Sequence, residues 1–100
     1  MGGLKVQVID ERAVDQRVDR FRNLAFVEVC SGTIHYWSVR STGDHQRDIH
    51  LGRKYATDAL RFVKEQNAPY IMPFIVRAMP KVHTGIETGF ILGLTEQALS

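Results

Sequence analysis

Glu28 and His35, on either side of Ser31-Gly32, are the acid and the imidazole that a hairpin would bring together as an acid/base pair. A carboxylate beside an imidazole raises the imidazole pKa and fixes its tautomer, as general-base work requires. No nucleophile motif or phosphate-binding loop accompanies the pair. The plainer alternative is a surface ion pair worth ~0.2–1 kcal/mol. Asp44 or Ser41 would join such a site only through proximity in the fold.

His45, Asp48 and His50 raise the question of a metal, and their spacing argues against one. On a helix His45 and Asp48 share a face, whereas His50 points away. Helical histidine pairs that hold zinc stand four apart. With a single cysteine, Cys30, neither a Cys-rich zinc module nor an internal disulfide is possible. No metal and no cofactor are expected.

Aromatic residues suggest binding instead. Leu24 to Cys30 and Thr33 to Arg40 read as strands, rich in Val, Ile and aromatic residues, with Ser31-Gly32 as the turn between them. A two-residue turn sets Val29 opposite Ile34, Val27 opposite Tyr36 and Ala25 opposite Ser38 on one face, read as the core face. Glu28 then faces His35, Phe26 faces Trp37 and Leu24 faces Val39 on the other. A G1 bulge would shift this register by one. The second face, with Phe26, Glu28, His35, Trp37 and Arg40, is the expected ligand-binding surface. Stacking on Tyr36 or Trp37 beside Arg40 would suit single-stranded nucleic acid. The segment Thr33–Arg40 nevertheless lacks the Gly-aromatic-Gly pattern of the RNA-binding sheet signature.

Gly85, Gly89 and Gly93 lie four apart in a segment that otherwise reads as helix. Each interior glycine costs roughly 1 kcal/mol against Ala, so close backbone approach is the expected return. Gly52, Ala56 and Ala59 offer a matching small-residue surface. The contact can lie within one chain or between two copies.

These residues need elements to hold them. Leu4–Ile9 alternates as a strand, and Val14, Val18 and Phe21 mark an amphipathic helix over Glu11–Arg22. A long helix is predicted after Asp44 or Asp48, ending near Asn67 with Pro69 beyond. Its outer stripe of His50, Lys54, Arg61 and Lys64 is interleaved with Asp58 and Glu65, the pattern of a solvated face. Tyr70–Met79 favours a strand by composition, confined to an edge by Pro73, with a short helix as the rival. Thr84-Gly85-Ile86-Glu87 is a capping box that opens a last helix running to about Leu99.

The order predicts a single α+β domain over residues 1–100. It is an antiparallel sheet in split βαβ (ferredoxin-like) order with an extra C-terminal helix. The alternative is a three-stranded sheet covered by a mainly helical second half. Composition supports a folded chain: 44% hydrophobic and 24% charged, with a net charge of +2 that attracts polyanions only weakly. No segment approaches the ~20 apolar residues of a membrane span, and no membrane partner is expected. Met1-Gly2-Gly3 carries no export-signal pattern, so the cytoplasm is the expected location. The expected function is a non-enzymatic ligand- or protein-binding or assembly module acting as a homo-oligomer. Nucleic-acid binding and a Glu/His enzyme are the alternatives.

Overall fold

The computed structural model describes residues 20–100. The expected strand Leu4–Ile9 and most of the expected Glu11–Arg22 helix lie outside the described residues. Arg20 and Phe21 are helical. A hairpin of β1 (Glu28–Cys30) and β2 (Thr33–His35) follows, then α1 (His45–Gln66), α2 (Ile71–Ala78) and α3 (Gly85–Leu99).

The hairpin has the expected register, with Glu28 opposite His35, Val29 opposite Ile34 and Cys30 opposite Thr33. Ser31 and Gly32 both have positive φ, at 51° and 81°, as a tight primed turn requires. Both strands are shorter than expected. The Val27 N–H donates to the Leu24 carbonyl at 3.0 Å, so this end of the expected strand is a turn. Beyond His35, the Ser38 N–H donates to the Phe26 carbonyl at 2.7 Å, one residue out of the hairpin register. Phe26 and Trp37 leave the ladder and turn into the helices.

Local signals at both ends define α1. Asp44 caps it by accepting from the Arg47 N–H at 3.1 Å, and Asn67 ends it in the left-handed conformation. Gly52, Ala56, Ala59 and Phe62 are buried along one stripe. The expectation of a strand at Tyr70–Met79 is overturned, because this segment forms α2. Pro73 is the third residue of α2, within the first turn, where its missing N–H removes no intrahelical bond. Ile71, Ile75 and Met79 recur at four-residue steps and are buried on one face.

The capping box opens α3 as expected. Its glycines lie against α1 of the same chain. A Cβ at Gly89 would overlap the Ile49 carbonyl, and one at Gly52 would overlap the Ile86 carbonyl. Gly85 lies beside His45 and Asp48, Gly93 beside Arg53 and Ala56, and Gln97 Nε2 donates to Thr57 Oγ1 at 2.8 Å. The two helices therefore run parallel, with their N-termini at the same end. The connection between them, including α2, returns along most of the length of α1.

The α+β class holds, but the described residues contain only the two-stranded antiparallel hairpin, so split βαβ order is not established. Phe26, Trp37, Tyr55 and Phe90 form the aromatic centre of the core, with ring centroids 5.0–6.2 Å apart. A second aromatic run passes from Phe62 through Phe21 and Tyr36 to Phe74.

Candidate functional site

The expected binding face is divided. Glu28 and His35 are cross-strand partners and exposed, and Arg40 is exposed. Phe26 is fully buried and Trp37 only 9% exposed, so the aromatic half of that face is core. This corrects the expectation that it is open. The Phe90 ring of α3 lies 5.0 Å from Trp37 and 5.9 Å from Phe26, and it covers them because α3 must itself bury Ile86 and Phe90. Glu28 Oε1 accepts from the Ser38 hydroxyl at 3.2 Å rather than from the imidazole. Glu28 and His35 are both exposed, whereas Trp37 is buried. Among the described residues nothing there excludes water, and the nearby thiol of Cys30 is free and exposed.

Tyr36, the other candidate for base stacking, is half-buried with Phe74 stacked on its ring at 5.1 Å. Burial and the neighbouring Tyr70 raise its hydroxyl above the ordinary tyrosine value. Burial also raises Tyr55. Among the described residues no group of three His, Cys, Asp or Glu side chains could hold a metal ion.

The densest polar arrangement is one that spacing did not disclose. It lies where α1 and α3 begin side by side. Glu87, 2% exposed, accepts the Trp37 indole N–H at 2.7 Å on Oε2. Its Oε1 takes the Thr84 N–H at 2.6 Å and the Thr84 hydroxyl at 2.7 Å. Burial pushes this carboxyl up, but the donors outweigh burial and hold it below its ordinary value. Asp48, 3% exposed but shallow, accepts the Ser41 hydroxyl at 2.5 Å and the Thr42 N–H and hydroxyl at 2.8 and 2.7 Å. The Ser41 hydroxyl, then Thr42, hold its carboxyl low, with a smaller contribution from His45.

Both carboxylates also sit at positive helix ends. An open cleft of about 350 Å³ beside them is lined by Ser41, His45, His83 and Thr88, among others. No buried side-chain polar atom among the described residues lacks a partner. The cluster accordingly acts as a lock that ties the Trp37–Thr42 segment to both helices. Half of it was visible as the Thr84–Glu87 box, whereas the indole partner is fifty residues distant and left no local signal.

The outer face of α1 has the mixed character its sequence suggested. Its open cleft of about 540 Å³ lies among His50, Arg53, Lys54, Thr57, Asp58 and Arg61. Ion pairs join Lys54 to Asp58 at 3.0 Å and Arg53 to Glu96 at 2.8 Å. A smaller cleft of about 220 Å³ lies among Asn23, Asp58, Glu65 and their neighbours.

Large apolar side chains remain exposed in two places. Ile91, Leu92 and Leu99 project from α3, and Tyr70, Phe74, Val76 and Val82 lie along the connection between α1 and α3. No helix among the described residues is long and apolar enough to cross a membrane. Compared with protein-family models, curated proteins and solved structures, the chain matches none.

Proposed function

We propose that the protein is a non-enzymatic assembly module that self-associates through the outer face of α3. The observation that carries this reading is that α3 lacks a charged face toward solvent. Of its fifteen residues only Glu87 and Glu96 are charged. The first is buried, and the second is paired with Arg53. Ile91 and Leu92 are 42% and 39% exposed on a helix that already buries Ile86 and Phe90 elsewhere. An exposed apolar surface on a small domain normally meets a partner. The charge of Glu96, one turn from Leu92, is offset by Arg53, so two copies of this face can meet with little like-charge repulsion. The glycines give no support, because they are spent on α1 within the chain.

Light scattering on the full chain at micromolar concentration tests the reading, with a dimer or higher oligomer expected. Leu92→Glu should give a folded monomer, since the side chain faces solvent in the single chain. A monomeric parent rejects self-association. An unchanged oligomer in Leu92→Glu rejects this face.

A further inference from the structure

The geometry points to a second, independent surface: the connection from α1 to α3 docks on an anionic lipid membrane. Between Glu65 and Glu87 the chain carries no acidic residue, and its formal charges are Arg77 and Lys81. Along the same stretch Tyr70, Phe74, Val76 and Val82 project outward, Val82 at 80% exposure. Helix α2 buries Ile71 and Ile75 and leaves Phe74 and Val76, about 200° apart around its axis, exposed on its two flanks, so apolar side chains reach solvent on either side of the buried stripe. Arg77 lies over the Phe74 ring, 5.7 Å from its centroid, placing a cation at the edge of the exposed apolar surface. Projecting apolar side chains beside lysine and arginine, with no acid among them, suit the boundary between lipid headgroups and acyl chains.

Other occupants fit less well. Two copies meeting through this strip would set Arg77 and Lys81 near their own counterparts, which disfavours self-association here. A nucleic-acid base would need an open aromatic face, but Phe74 has Tyr36 stacked on it and Arg77 over it. Docking at the surface needs no membrane-spanning helix, and none is present among the described residues.

Co-sedimentation of the full chain with vesicles tests the inference, comparing phosphatidylcholine alone with phosphatidylcholine mixed with phosphatidylserine. Binding to the mixed vesicles is expected, weakening as salt rises. Val82→Asp should abolish it while the melting curve stays that of the parent, because the side chain stands in solvent. Lys81→Glu reverses one charge and should weaken binding on the order of twenty-fold, at roughly five-fold per unit of charge. Failure to bind the mixed vesicles overturns the proposal. So does equal binding to the two vesicle types, or undiminished binding by Val82→Asp. Leu92→Glu should leave vesicle sedimentation in place, which separates this surface from the one on α3; its loss in that variant would overturn their independence.

Discussion

Removing the Glu87 carboxylate would leave the buried Trp37 indole N–H without an acceptor, while the Thr84 N–H, on an exposed residue beside the cleft, would turn to water. Orphaning the indole costs about 1–3 kcal/mol, and losing the capping-box bonds to Thr84 adds about 0.5–2 kcal/mol. Glu87→Ala is therefore expected to lose about 2–5 kcal/mol on the same scale, read as a lower urea midpoint. Trp37→Phe removes one donor and keeps most of the ring, so its loss should be smaller, about 1–3 kcal/mol. Glu87→Gln can still accept from Trp37, but it loses the charge and has only one acceptor oxygen for the donors of Trp37 and Thr84. It should fall between the parent and Glu87→Ala. A Glu87→Ala midpoint equal to the parent's would show that water satisfies these donors and that the carboxylate does not hold the two helices to the Trp37 segment.

Backbone contact between α1 and α3 makes the glycines separable from one another. Ala outranks Gly by ~1 kcal/mol inside a helix, so propensity alone predicts that every Gly→Ala change here stabilises. At Gly89 and Gly52 the new methyl would overlap a backbone carbonyl of the opposite helix, which can yield only if the helices separate. At Gly93 it would meet the Ala56 methyl at 2.8 Å and the Arg53 Cα at 3.1 Å, a smaller conflict. Overpacking typically costs ~1–3 kcal/mol, enough to reverse the propensity gain. Thermal melting should rank Gly89→Ala and Gly52→Ala lowest, with Gly93→Ala above them. Gln97→Leu, which gives up only an exposed bond to Thr57, should stay near the parent. A Gly89→Ala protein that melts above the parent would contradict the packing. These helices were legible because their signals are local: Asp44, Asn67 and the Thr84–Glu87 box mark ends, and the glycine spacing marks a close face. The hairpin register was legible because Ser31-Gly32 fixes it. Helix α2 was misread because Tyr-Ile-Met-Pro-Phe-Ile-Val has the composition of a strand. The four-residue recurrence of Ile71, Ile75 and Met79 was the better guide. Which side of Phe26 and Trp37 would be covered depends on where α3 lies, a long-range outcome that no spacing near residue 37 encodes.

Parallel neighbours give the molecule an electrically uneven end. Each helix presents roughly half a positive charge at its N-terminus, and here the two ends adjoin instead of opposing. Asp48 and Glu87 place negative charge at those ends, and both carboxyls are held below their ordinary values in the folded chain. The consequence for stability has a definite sign. A depressed carboxyl binds its proton less readily when folded than when unfolded, so acidification favours the unfolded chain. The contribution is fully present above the unfolded carboxylate range, about pH 4, and is lost as pH falls through the lower folded values. Melting temperature should therefore change little from these two groups between neutrality and about pH 5, then fall on further acidification. The double variant Asp48→Asn, Glu87→Gln cannot take up those protons. It should melt below the parent at neutral pH, and the gap should narrow as pH falls, because the parent alone loses the contribution. Scans at a series of pH values would read this directly. Parallel parent and variant curves, separated by a constant difference down to pH 3, would mean that these carboxyls titrate alike in the folded and unfolded chains.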